Sequence, residues 1–392
     1  MDTEPLARLL RSGLAAHPRP VFPGAVCAVD HGGERDVIMV GDAYRYADLA
    51  GTRVPEEQRT PMATDTVFDL ASLTKLFTAI LIMQLVEQDQ VDLDAPVADY
   101  LEAWSDQERS AVTVRHLLTH TSGLAAVLTL WAEPDLDARV RTVLEAPLET
   151  PPGTVFRYSC VGYLNLGLLY QAITGLDLAH AVINRICRPL GLTETGYRPL
   201  AAGIGKERIA ATEMRPIAWS RDLPPAGPDE PAQDNRGIVH DENAASLGGI
   251  AGNAGIFGTA ADLLTFGRAV LTGLRGDASA LGLRPETLAE MARPQLPDGL
   301  NPDFQQGLGF RIGQTGFMGR LADGPSIGHT GYTGTSITID PSRDLVLVLL
   351  TNRVHPSREW SELNPFRSRI SDQVAASVKP AAADHAGEPS RP

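Results

Sequence analysis

The chain has 392 residues, 43% hydrophobic and 21% charged, the balance of a folded protein large enough to enclose a cleft and not of a disordered chain. A formal net charge of −14 argues against a phosphate-tracking surface, which needs clustered Lys and Arg, so no nucleic-acid partner is expected. The apolar run Val346 to Leu350 with its neighbours falls far short of the ~20 residues that cross a bilayer, so no membrane span is expected and the run reads as a buried strand.

The opening Met1-Asp2-Thr3-Glu4-Pro5 lacks the positive region and apolar stretch of a secretory signal, and the expectation is a cytoplasmic protein. From Gly24 to Val40, two apolar runs split by His31-Gly32-Gly33 predict a β-hairpin. Helical spacing follows in Ser72 to Gln88, Val114 to Leu118, Tyr163 to Thr174 and Ala261 to Thr272. Residues 201–246 are polar and Pro-rich and predict a long loop. Gly334 to Asp340 and Leu345 to Thr351 predict a second hairpin, turning at Pro341 to Asp344.

Strands at both ends and helices between them predict an α+β fold. An antiparallel sheet would be assembled from 1–110 and 260–377 and flanked by helices, with a mostly helical inserted domain at 111–259. The tail 378–392 has no apolar periodicity and is expected to be disordered. Cys27, Cys160 and Cys187 cannot all pair and are too widely spaced for a metal knuckle, so reduced, mostly buried thiols are expected.

Three motifs carry the chemistry. If Ser72 opens a helix, Lys75 lies on the same face one turn on, and an amine in a water-poor cleft loses its proton more easily, which would activate the hydroxyl. Tyr158, in Arg157-Tyr158-Ser159-Cys160 after Pro151-Pro152-Gly153, sits where a loop enters a helix and can project its phenol into a cleft as a base. His329-Thr330-Gly331-Tyr332 leads into a strand, and its glycine lets a substrate approach the backbone. Each has an ordinary structural explanation when taken alone: a helix cap, a core aromatic, a Gly-rich turn. His240-Asp241-Glu242-Asn243 contains metal-ligand types, but neighbours in an extended segment point to opposite faces, so no metal is expected there.

Taken together and in this order, Ser72-Leu73-Thr74-Lys75, Tyr158-Ser159-Cys160 and His329-Thr330-Gly331 resemble the signature elements of the serine β-lactamase and penicillin-binding-protein superfamily. The strings Val114 to Leu124 and Ala254 to Leu263 resemble its class C and esterase-like branch. The resemblance implies a β-lactamase/transpeptidase-like fold, Ser72 as nucleophile, and a base built from Lys75 and Tyr158. It also implies an oxyanion hole formed by the amides of Ser72 and Tyr332, with no cofactor.

Two positions depart from the class C pattern: Cys160 stands where an Asn would donate an amide, and His329 where a Lys would offer a fixed charge. They resemble the family VIII carboxylesterases and favour short esters over carboxylate-bearing lactams. His329, Thr330, Gly331, Tyr332 and Cys160 are then the expected substrate-binding residues. The expected activity is hydrolysis of a small-molecule ester, amide or lactam through an acyl-enzyme on Ser72, with a carboxylesterase favoured. A D-amino-acid peptidase or amidase, a weak β-lactamase, an acyltransferase and a penicillin-binding sensor remain open, as does the oligomeric state.

Overall fold

The computed structural model describes residues 1–214 and 234–378. In chain order its strands are β1 (Gly24–His31), β2 (Glu34–Tyr44), β3 (Thr60–Pro61), β4 (Phe68–Asp69), β5 (Gly196–Tyr197), β6 (Ile256–Gly258), β7 (Gln305–Gln306), β8 (Arg311–Ile312), β9 (Ile327–Thr330), β10 (Thr335–Asp340) and β11 (Leu345–Thr351). Eight form one antiparallel sheet ordered β3-β2-β1-β11-β10-β9-β8-β7, and β4-β6-β5 form a small second sheet.

Both expected hairpins are present. β1 and β2 pair His31 with Glu34 across Gly32 and Gly33, whose φ values of +61° and +89° suit a two-residue turn between twisted strands. Between β10 and β11, the Asp340 carboxylate accepts from the amides of Ser342 and Arg343 and closes the turn.

β1 and β11, from opposite ends of the chain, pair from Ala25↔Thr351 to His31↔Leu345. Both are covered on two faces, which is why they are apolar throughout. Ala25, Cys27 and Val29 pack with Leu345, Leu347 and Leu349 beneath helices Glu4–Leu14 and Asn364–Ser377. The alternate residues Val26, Ala28, Val346, Val348 and Leu350 join the larger core on the other face, with helix Ala260–Leu274.

Helix Thr74–Glu87 crosses that larger core and is buried from Thr74 through Leu85, so it is apolar on all sides. The other expected helices are Val114–Leu118, Cys160–Thr174 and Ala260–Leu274. The helices over the outer face, Glu4–Leu14 and Asn364–Ser377, add to what the sequence reading anticipated.

Within the expected loop 201–246, Lys206–Arg208 makes a single 3₁₀ turn and Glu242–Ser246 a short helix capped by Asp241, while 215–233 lie outside the described residues. Val378, placed by the sequence reading in a disordered tail, is buried in the outer core, and 379–392 lie outside the described residues. All three cysteines are free and buried.

Candidate active site

β4 ends at Asp69, and the chain turns through Leu70-Ala71-Ser72-Leu73 into helix Thr74–Glu87. Ala71 takes φ +48°, where an L-residue is strained by roughly 1–2 kcal/mol. The Asp69 carboxylate holds this turn by accepting from the amides of Ala71 (2.8 Å) and His240 (2.6 Å). Burial pushes that carboxyl up to about 6, partly opposed by these two bonds. Ser72 is left half-buried in the first turn, where amides have no intrahelical acceptor.

Lys75 is 0% exposed and its Nζ donates to Ser72 Oγ (3.1 Å), the Asn253 carbonyl (3.0 Å) and Cys160 Sγ (3.5 Å). An ammonium has three protons, and each has an acceptor here. The expectation of an easily deprotonated amine is corrected. Burial does push the Lys75 ammonium down, but Cys160, Tyr158 and Asp241 outweigh it and the net shift is upward.

Tyr158 precedes Ser159, whose hydroxyl caps helix Cys160–Thr174 by accepting from the Gly162 amide and donates to the Ala125 carbonyl. The Tyr158 ring lies 5.0 Å from Lys75 Nζ and 4.9 Å from the Arg311 guanidinium, with the His120 ring 4.6 Å away. His120 has φ +61°, and its Nδ1 accepts from the Ser159 amide, tying Tyr158's neighbour to the Thr119-His120-Thr121 turn. Burial, with Lys75 and Arg311 nearby, pushes the His120 imidazole well below its ordinary value, so it stays neutral.

The opposite wall is the turn between β9 and β10. A Cβ on Gly331 would meet the Leu70 carbonyl at 2.5 Å, so only glycine allows the turn to lie against the backbone preceding Ser72. Two hydroxyls seam the walls: Thr333 donates to the Asp69 carbonyl (2.7 Å) and Thr335 to the Leu70 carbonyl (3.0 Å). Tyr332 lies between strands, outside the ladder, with its side chain 52% exposed. Arg353 holds it from behind, donating to its carbonyl (2.9 Å) and lying 4.7 Å from its ring centre.

Ser72, Tyr158, Arg311, Thr330, Gly331 and Tyr332 thus line one cleft of about 510 Å³, into which Arg353 and Arg367 also project. Two expected substrate-binding residues are corrected. His329 is fully buried and does not line the cleft, because adjacent strand residues face opposite sides and Thr330 takes the open one. Its Nδ1 donates to the Thr330 carbonyl, and burial pushes the imidazole well below its ordinary value. Cys160 is also buried and receives Lys75 at its sulfur.

The structure supplies a cation that the motif reading missed. Arg311 on β8 pairs with Gly328 on β9 and reaches past it, donating to Thr330 Oγ1 (3.4 Å) and Gln314 Oε1 (2.9 Å). Burial pushes its guanidinium down from the ordinary value, with Tyr158 opposing. The four residues considered for a metal are drawn apart. His240 faces Glu213, Asp241 caps its helix, Glu242 accepts from Arg358, and Asn243 accepts from the Leu130 amide.

A serine hydroxyl bonded to a buried lysine, facing the backbone of a glycine turn across a cleft, suits acyl transfer. The sequence profile of the Beta-lactamase family matches residues 6–370. The chain belongs to this family. Membership makes it a serine hydrolase with the β-lactamase/transpeptidase fold. This β-lactamase-family protein is 31% identical over 373 residues to a putative D-alanyl-D-alanine carboxypeptidase of Escherichia coli (strain K12), covering 87% of this chain and 84% of the relative. It is also 31% identical over 364 residues to an N-acetylmuramyl-L-alanine amidase of Bacillus subtilis (strain 168), covering 88% and 80%. Among solved structures, EstCE1, described as a hydrolase with promiscuous acyltransferase activity, shares its fold at TM-score 0.69 and 23% identity, over 94% of this chain and 98% of that one.

Proposed function

We propose that the protein is a peptidase of carboxypeptidase type, acylated on Ser72, whose leaving amine carries a carboxylate bound by Arg311. One observation carries the reading: a half-buried guanidinium stands against both Thr330 and the Tyr158 ring, on the side of the cleft where a leaving group would be protonated. The expected preference for esters rested on Cys160 and on the missing cation at position 329, and Arg311 provides a cation from the adjacent strand.

In this reading Lys75 orients Ser72, and the Ser72 proton passes to the Tyr158 oxygen. Ser72 Oγ bonds to the carbonyl carbon, and the oxyanion is received by the amides of Ser72 and Tyr332. The C–N bond breaks as Tyr158 returns the proton to the amine. Water then attacks the acyl-enzyme, gives its proton to Tyr158 and releases the acid, and Tyr158 reprotonates Ser72.

The two curated relatives, named as a carboxypeptidase and an amidase, support amide substrates. One feature favours the carboxylesterase alternative: Cys160 offers no amide donor to hold an acyl amide. Short peptides ending in D-alanine, each with a free or an amidated C-terminus, test the reading. We expect the free acid to be cleaved with kcat/KM at least ~10-fold above its amide, the equivalent of one charge-assisted hydrogen bond. Equal rates for both, or turnover of p-nitrophenyl esters alone, would overturn it.

A further inference from the structure

The oxyanion donor on the strand wall belongs to the Gly331–Tyr332 peptide, and the other end of that peptide is held by a cation. Arg367, on helix Asn364–Ser377, is 6% exposed, and its Nη2 donates both to the Gly331 carbonyl and to the Thr335 carbonyl, each at 2.8 Å. Nη1 donates to the Asn364 side-chain oxygen at 2.7 Å. These three acceptors are neutral, which is an expensive setting for a buried charge. The peptide between Gly331 and Tyr332 conjugates its C=O with its N–H, so a cation on the oxygen withdraws electrons from the nitrogen and strengthens its N–H as a donor.

We propose that Arg367 is a positioning residue for the oxyanion hole, aiming and polarising the Gly331–Tyr332 peptide so that the Tyr332 amide binds the oxyanion of the tetrahedral intermediate. Among the described residues its hydrogen-bond acceptors are all neutral, and a negative charge forms at the Tyr332 amide during the reaction. Geometry and polarisation act together. The same Nη2 ties the two ends of the turn, Gly331 and Thr335, which also bond to each other through the Gly331 amide and the Thr335 carbonyl (2.7 Å). The inference rests on the reading of Ser72 as nucleophile and Tyr332 as oxyanion donor.

Because Arg367 also borders the cleft, the test uses a substrate that it cannot bind by charge. Wild type, Arg367→Lys and Arg367→Gln are compared on p-nitrophenyl acetate, with melting temperature as the check on folding. We expect Arg367→Gln to lower kcat at least ~30-fold with KM within about threefold, and Arg367→Lys to recover at least part of the loss. Affinity for a phenylboronic acid, which forms a tetrahedral anion on the serine, should fall in step with kcat/KM. Unchanged ester turnover, with KM rising only for carboxylate-bearing peptides, would make Arg367 a substrate ligand and overturn the proposal.

If both variants fail to fold, Asn364→Ala releases Nη1 from an exposed position and should lower kcat about threefold without moving KM; no change in kcat would overturn the proposal. Intact-mass labelling with a fluorophosphonate, in which a Ser72 O–P bond forms and fluoride leaves, separates the two levels. No label on wild-type Ser72 overturns the nucleophile reading and this proposal with it. A wild-type labelling rate in Arg367→Gln overturns the proposal alone.

Discussion

The helical wall of the cleft takes Ser72 and Lys75 from one turn at the start of one helix, whereas the strand wall gathers Arg311, Thr330, Tyr332, Arg353 and Arg367 from segments scattered between residues 311 and 367. On the helical wall each proton of Lys75 has an acceptor, and one of them is Ser72 Oγ. On the strand wall Arg353 and Arg367 donate to carbonyls of the turn, and Arg311 to the Thr330 hydroxyl beside it. The first wall is arranged to move one proton, and the second to receive negative charge. A short motif can encode the first, but only tertiary folding can assemble the second.

Removing the helical wall's nucleophile should have the largest effect. Ser72→Ala is expected to lower kcat by on the order of 10⁴ or more and to abolish fluorophosphonate labelling, with the melting temperature little changed. Stoichiometric labelling of that variant would show that the nucleophile lies elsewhere. Tyr158→Phe should follow, at roughly 10²–10⁴ in kcat, because it removes the proposed proton acceptor. A Tyr158→Phe protein with near-normal turnover would return the base role to Lys75 and break the contrast between the walls.

The strand wall should respond selectively. Arg311→Ala is expected to cost about 10- to 100-fold in kcat/KM for a peptide with a free C-terminal carboxylate, the ~1.5–3 kcal/mol of a hydrogen bond to a charged group. On p-nitrophenyl acetate the same variant should stay within about threefold of wild type. Equal losses on both substrates would mean that Arg311 supports Tyr158 and does not read the substrate.

The smallest effect concerns stability behind the strand wall. His355, in the loop after β11 that carries Arg353, accepts from the amides of Arg45 and Tyr46 and donates to the Thr212 carbonyl. Burial pushes its imidazole down from 6.5 to about 4. Between those values the unfolded chain binds a proton that the folded protein refuses, so stability is fully present above pH 6.5 and is lost as pH falls towards 4. The loss reaches about 3 kcal/mol. Denaturant titrations of wild type and His355→Gln from pH 7 to pH 4 should show the stability gap between them shrinking by about that amount. A gap independent of pH would remove His355 from the acid response.

The contrast also explains what was legible in the sequence. The hairpins announce themselves through Gly32-Gly33 and the Pro341 to Asp344 turn, and the spacing of Ser72 and Lys75 states their contact outright. Helix Glu4–Leu14 carries Leu6 and Leu10 four residues apart, a signal present but short. Arg311 has no local signature, because its role arises when β8 pairs with β9. His329 was misread because a motif gives order along the chain but not the strand face, and here the face turned it inward. Asp69 could have been found from its position two residues before Ala71, the spacing at which a carboxylate closes a tight turn.

The pairing of β1 with β11 has a consequence in time. The strand beginning at Gly24 waits for a partner that ends at Thr351, so nearly the whole chain must exist before the centre of the sheet can close. At typical synthesis rates of ~5–20 residues per second, that is a wait of roughly 15–60 s during which the apolar β1 has only β2 beside it. Arg353 and Arg367 follow β11 in the chain, so these two arginines of the strand wall emerge only after the strand that seals the core.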